Sequence, residues 1–342
     1  MDIEFHYWIT GYIALKAGFS SEEAKTIAYA SELVDDNDTG VKVKDRHSEE
    51  VYINFISQTM NILKPKKKLM RIYPIFHFVP GDPAAITARR KDGKMHILNT
   101  TPNSPNANTL LEAAFSSDEE MRLYRIGIAS HTYVDTWAHQ NFVGWYDYVN
   151  NIGLDPKPDI GHADAEHHPD WVCHKWEDNR LVKSVVDNRE RFTEAAKCLY
   201  LQYCSYLAQQ GREDKSGEWR NIESSLITIQ GRPYSGDFIR YKDERIQEYK
   251  NRLDNWPDFD ENIWFDEAID TEVHGLKDSH EGLTSVLTIF KDEYFWKEGI
   301  QKENTNWYKF QESVKAQEAL GIELLSPLFR QMGYDLVDEK YS

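Results

Sequence analysis

His131, Asp135 and His139 stand four residues apart in an H-x-x-x-D-x-x-x-H run, so on an α-helix their side chains fall within one narrow stripe. Imidazole and carboxylate at i and i+4 can close on one divalent cation, and the second oxygen of a central carboxylate can reach a neighbouring one. The stripe therefore points to two adjacent metal ions. The plain alternative, two histidines and an aspartate decorating an exposed face, is contradicted by the neighbours. Ile126, Ile128 and Ala129 precede the run, Tyr133, Val134, Trp137 and Ala138 fill its gaps, and Phe142, Val143 and Trp145 follow. A helix apolar nearly all round is a buried helix. Ionisable groups inside it must be paired or hold a metal, because a bare buried charge costs several kcal/mol.

One helix face cannot complete two coordination shells, so further donors must come from elsewhere. In GHADAEHHPD, His162 and Glu166 again stand at i and i+4 and would chelate one ion if the segment is helical. His167, His168 and His174 are alternates in the same histidine-rich stretch. Near the start, Asp2 and His6 share a face in a helix, and Asp2, Glu4 and His6 share one in a strand. Beside Phe5, Tyr7 and Trp8, a lone His6 reads more readily as a satisfied core histidine than as a ligand. His47, His96, His274 and His280 lack a donor pattern.

The elements that must position these groups are mostly helices. Ser20 and Glu23 form a capping box ahead of Ala24, Ala28, Ser31 and Asp35, which recur at helical spacing, and that helix ends in the cluster Asp35, Asp36 and Asp38. A second helix is predicted over 48–63, stopped by Pro65. The run from Lys64 to Lys68 reads as a solvated loop. Ile72 to Val79 reads as a short apolar extended segment carrying His77 between Pro74 and Pro80. Residues 82–108 read as a long surface loop and 151–170 as another. A long helix is predicted from about Trp176 to Ala208, and further helices near 216–229, 236–253, 284–297 and 305–332. No segment alternates strongly enough to read as a strand. The fold expected is mostly α, with a metal-binding helical domain over residues 1–210 and a helical extension over 211–342 packed on it or continuous with it.

Composition narrows the partners. With 342 residues, 40% of them hydrophobic, the chain can bury a large core. It has no apolar run of the roughly 18 residues a membrane span needs, and MDIEFHYWIT lacks the features of a secretory signal, so a cytoplasmic protein is expected. Cys173, Cys198 and Cys204 have neither the number nor the spacing of a disulfide framework or a thiolate zinc site. A formal charge of -17 repels long polyanions over much of the surface, which weighs against nucleic acid except where bound metals reverse the sign.

In order and spacing these donors resemble those of the bacterial zinc-dependent phospholipases C and the related single-strand-specific zinc nucleases. Segments such as FHYWITGY and HTYVDTWAHQNF are also similar to an uncharacterised bacterial branch. The resemblance covers about residues 1–180 and rests on His6, Asp35, His77, His131 with Asp135, His139, and His162 with Glu166. It implies a helical bundle with two or three Zn2+ ions. One ion would take Asp35, His77, His131 and Asp135, with Asp36 as fallback for Asp35. A second would take His139, His162 and Glu166, and a third His6 with Asp135 bridging. Members of that superfamily use a free chain-terminal amine as a ligand, for which Asp2 or Glu4 is the expected substitute here. Their spacing from the central aspartate to the next histidine is also longer than that from Asp135 to His139. The implied activity is hydrolysis of a phosphodiester in a nucleic acid, nucleotide or phospholipid, with Asp36 or Asp38 as the base. The alternative is a helical binding or structural module in which closed zinc shells supply folding energy without catalysis.

Overall fold

The computed structural model describes residues 1–59, 71–152, 159–274 and 291–336. The lysine run from Lys64 to Lys68, the end of the helix predicted over 48–63 and the start of that predicted over 284–297 lie outside these residues. The chain is mostly helical with a small mixed sheet. A π-helical turn, Glu4–Ile9, runs into α1 (Thr10–Ala17), and α2 (Ser21–Asp36) follows. The expected capping box is present: the Ser20 hydroxyl accepts from Glu23 N–H, and the Glu23 carboxylate accepts from Ser20 N–H. Next come α3 (Pro105–Phe115), capped by Ser104, and the central helix α4 (Glu119–Ala138). Then α5 (Asn188–Gln209), α6 (Trp219–Gln230), α7 (Lys242–Arg252), α8 (Ile263–Ala268) and α9 (Asn306–Gln331) complete the helices used below.

Helix α4 packs against α2, α3, α5 and α9, and every residue from Ile126 to His139 is buried. That all-round burial matches the apolar pattern read around the H-x-x-x-D-x-x-x-H run. Gly127 sets how close α4 comes to α2: a Cβ there would stand 2.5 Å from the Ile27 carbonyl and 2.6 Å from Ala30 Cβ. One turn further along, the same approach brings the His131 ring to the Ser31 carbonyl at 2.8 Å.

Four segments differ from the sequence expectation. Within 48–63 lies a strand, β2 (Val51–Ile53), which pairs antiparallel with β1 (Lys42–Lys44). Trp176 to Ala208 is not one helix but β3 (Lys175–Glu177), β4 (Val185–Asp187) and then α5, which begins where the Asp187 carboxylate accepts from Arg189 N–H. The described part of 284–297 is β6 (Lys291–Trp296), paired antiparallel with β5 (Ile269–His274) and parallel with β1. The sheet order is therefore β2-β1-β6-β5. Val51 and Ile53 pair with Lys44 and Lys42 of β1, and β1 is in turn held by β6 near residue 294, a contact that local periodicity does not register. Finally, Ile72 to His77 is helical rather than extended, closing as the π-turn Tyr73–His77 with Pro74 in its first turn, and Phe78 leaves the helix. One buried apolar cluster takes side chains from both the first 210 residues and the last 130, among them Trp8, Trp137, Trp256, Trp307 and Phe329.

Candidate metal centre

Two π-turns each deliver a histidine to the centre: Glu4–Ile9 carries His6 and Tyr73–His77 carries His77. A π-turn widens the backbone spiral and re-aims side chains, which is why such turns concentrate at functional sites. Helix α4 supplies His131 and Asp135, and His139 caps its C-terminus. Asp35 comes from the last turn of α2.

Asp135 is the hub. Its carboxylate lies 3.2 Å from His6 Nε2, 3.4 Å from His77 Nδ1, 3.3 Å from His131 Nε2 and 3.5 Å from His139 Nδ1, and its side chain is 1% exposed. Asp35 joins from the other side, 3.5 Å from His77 Nδ1 and 3.7 Å from His131 Nε2, with 28% of its side chain open. Burial alone would raise Asp135, yet the facing His139, the Met1 amine, His131 and His6 hold it well below the usual carboxylate range. A second group forms where Asp170 meets His139 Nε2 at 3.4 Å and His162 Nε2 at 3.3 Å. Donor atoms of His6, Asp35 and His131, of His77, His131 and Asp135, and of His139, His162 and Asp170 each lie close enough together to hold one cation.

The tautomers decide what these nitrogens offer. His131 Nδ1 donates to Ser31 O at 2.8 Å, His77 Nε2 to Ser57 O at 2.9 Å, His139 Nδ1 to His77 O at 2.7 Å and His162 Nδ1 to Glu166 O at 2.7 Å. Each carbonyl takes the ring N–H, so the opposite nitrogen presents a lone pair to the carboxylates, the arrangement that orients imidazole ligands on metals. His77 Nδ1 and His131 Nε2 then face each other, lone pair to lone pair, at 3.1 Å. Two facing lone pairs at that separation need a cation or a proton between them. His6 is fully buried, neither of its ring nitrogens makes a hydrogen bond among the described residues, and burial holds its pKa down to about 3, so it is a neutral imidazole. Asp135 Oδ2 and Asp170 Oδ1 are also buried without a hydrogen bond there. The donor set fits a borderline cation such as zinc, which takes imidazole nitrogen and carboxylate oxygen together.

The sequence reading and the structure part at three points. Glu166 is not in the second group; it is exposed and its backbone carbonyl, not its carboxylate, meets His162. The i, i+4 argument assumed an α-helix, whereas Ala163–Ala165 is a 3-10 turn and Glu166 sits at φ 51. Asp170, eight residues after His162 and reached around the turn at Glu166 rather than along a helix, takes that place. Gly161, at φ +53, lets the chain pass beneath Phe78, whose ring would stand 2.6 Å from any Cβ. Asp2 and Glu4 do not stand in for an amine ligand: Lys242 holds Asp2 at 2.9 Å and Arg245 holds Glu4 at 2.7 Å. The Met1 amine itself bonds Asp135 and lies 3.6 Å from Asp170. Burial lowers that amine's pKa, but Asp135, Asp170 and Asp35 outweigh it and push it up to about 11. No side-chain motif could have shown a chain-terminal nitrogen in the centre.

Asp36 and Asp38 are exposed and neither lines the cleft over the centre. Although exposed, Asp36 is partly desolvated, and that together with the like charges of Asp35, Glu261 and Asp38 raises its pKa to about 6. His168 and His174 pair with each other at 2.9 Å, apart from the centre, whereas His167 borders the cleft. The cleft itself is about 620 Å³, floored by Asp35, His77, Asp135, His139 and Asp170 and walled by Tyr73, Phe78 and Trp171.

These observations define a mostly helical protein with a buried, cleft-lining group of histidines and aspartates that could hold metal. The chain belongs to a family of unknown function (DUF6765), which matches it over residues 1–325. No curated protein and no solved structure shows significant similarity to it.

Proposed function

We propose that the protein is a zinc-dependent hydrolase of phosphodiester bonds. The observation that carries this is the meeting of His77 Nδ1 and His131 Nε2 at 3.1 Å, beside Asp35 and Asp135, after backbone carbonyls have taken both ring protons. Asp35, His77, His131 and Asp135 would hold one ion, His139, His162 and Asp170 a second, and His6 with Asp135 would serve a third. Bound zinc supplies Lewis acidity toward a phosphate ester and toward the water that attacks it. The chain's own part is positional. Carbonyls of Ser31, Ser57, His77 and Glu166 fix the four rings, Asp135 links the groups, and the partly open Asp35 joins them to the cleft. Tyr73, Phe78 and Trp171 give the cleft apolar walls against which a base or an acyl chain can lie. The ligand order resembling that of the zinc phospholipases C and zinc nucleases supports the same reading.

The test is elemental analysis of the purified protein together with hydrolysis of bis(p-nitrophenyl) phosphate, single-stranded DNA and phosphatidylcholine. Two or three zinc ions per chain and turnover of the chromogenic diester are expected. Zinc without turnover of any of the three substrates assigns the ions to stability alone, and zinc-free protein ends the proposal. Within the same reading, Asp170→Asn is expected to lose one zinc equivalent while Glu166→Gln keeps the full complement. The reverse result would restore Glu166 as the ligand.

A further inference from the structure

A second surface stands apart from the metal cleft. Five large apolar side chains are left in solvent: Ile86 is 77% exposed, Met95 68%, Tyr148 72%, Val182 65% and Val185 55%. Single exposed apolar residues are ordinary on any protein. These five are tied together. Ile86, Val182 and Val185 line one cleft of about 1020 Å³. Lys91 N–H donates to Arg180 O at 2.9 Å and Val182 N–H to Arg89 O at 3.2 Å, so residues 89–91 run beside 180–182. Arg90 and Arg180 both donate to Val149 O, at 2.8 and 2.9 Å, which brings Tyr148 to the same edge. Lys94 Nζ sits 5.7 Å from the Tyr148 ring centre, next to Met95.

The charge here runs against the rest of the chain. Arg89, Lys91, Lys94 and Lys183 are all exposed, and none has an ion-pair partner among the described residues. Of the acids on this cleft and its edge, Asp178 is engaged by Arg180 at 2.6 Å, Asp92 by Arg90 at 3.6 Å and Asp187 by Lys175 at 2.9 Å, and Asp82 accepts from Ala84 N–H, while Glu190 and Glu194 stand exposed on the α5 wall. On a chain of formal charge -17, the edge formed by residues 86–95, 148 and 180–183, where four cations without an ion-pair partner among the described residues stand between exposed apolar side chains, is a local reversal, even with Glu190 and Glu194 on the α5 wall of the cleft. We propose that this face docks on a lipid bilayer carrying anionic headgroups. Aliphatic side chains enter the acyl boundary, Tyr148 sits at headgroup depth, and the cations meet the surface charge. Nucleic acid fits less well, because base stacking needs a row of aromatic rings and Tyr148 is the one aromatic of the five.

Vesicle co-sedimentation tests this without reading hydrolysis, so its outcome is independent of the metal centre. The full chain is mixed, at about 100 mM salt, with vesicles of phosphatidylcholine alone, with vesicles of equal phosphatidylcholine and phosphatidylglycerol, or with a single-stranded oligonucleotide. Binding to the anionic vesicles well above the other two is expected. Lys91→Ala with Lys94→Ala should weaken it roughly 25-fold, and Ile86→Ser with Val182→Ser roughly tenfold, both pairs with unchanged melting temperature because all four side chains are exposed. Equal sedimentation of wild type and both double variants, or no sedimentation, overturns the proposal. So does capture of the oligonucleotide that needs the lysines but tolerates both serines.

Discussion

Asp135→Asn is expected to strip the protein to at most one zinc and to lower phosphodiester turnover by roughly a thousandfold, the rate equivalent of several kcal/mol of lost transition-state stabilisation. The size follows from position. His6, His77, His131 and His139 all stand within 3.5 Å of this one carboxylate, so it gathers the rings of one donor group and touches, through His139, the other. An amide offers one neutral oxygen where two charged ones stood, and its NH2 donates where a cation is wanted. The group of His139, His162 and Asp170 does not need Asp135 to close and should retain its ion. Elemental analysis against wild type separates this from the other role the geometry permits. If Asp135 only balances the Met1 ammonium and a protonated His77, wild type and variant will both be metal-free and will differ in stability alone. Burial works against charge on His77, but Asp135 and Asp35 raise its pKa, so a proton is the real competitor of a metal there.

What could be seen in the sequence is what a single regular helix governs. The stripe of His131 and Asp135 follows from a 3.6-residue period, and its burial from apolar residues on every other side; α4 shows both. Ser20 and Glu23 placed the start of α2, and Asp35 in its last turn followed. Donors held by irregular backbone were placed less well. Pro74 and Pro80 bracket His77 and predict an extended segment, yet Pro74 lies in the first turn of a π-helix there. Asp170 lies in the same GHADAEHHPD stretch as His162, but the 3-10 turn and the positive φ at Glu166 turn the chain, and helical spacing cannot follow that path. The strands were missed for a different reason. Val43 pairs with Tyr52 and with Tyr294, and a contact across some 250 residues leaves no local period. Asp187, an N-cap about one-third of the way along the span from Trp176 to Ala208, carries a signal that could have separated β4 from α5.

Those irregular donors must be held by something other than helix hydrogen bonding, and for His6 the holder is α7. The Glu4 carboxylate, two residues before His6, takes a bidentate bond from Arg245, Nε to Oε1 and Nη2 to Oε2, both at 2.7 Å. Glu4 is 0% exposed and Arg245 3%, and the guanidinium also donates to Arg240 O at 2.6 Å. Burial pushes the Glu4 carboxyl up to about 7 even against the pull of Arg245, so the pair lies where an unmatched charge is poorly solvated. Arg245→Met is therefore expected to cost about 3–5 kcal/mol of unfolding free energy, which in a chain of this size lowers the melting temperature by roughly 10 °C. Glu4→Gln with Arg245→Met should recover most of that loss, since it removes the carboxylate that the single variant strands. Zinc binding distinguishes a clamp from mere bulk. If the pair orients the Glu4–Ile9 turn, the stable double variant will still bind zinc more weakly at the group containing His6, because α7 then holds the turn through Lys242 on Asp2 and Lys250 over the Trp8 ring without the bidentate clamp. A double variant with wild-type zinc content and affinity would show that the packing of Phe5, Tyr7 and Trp8 places His6 without help from α7.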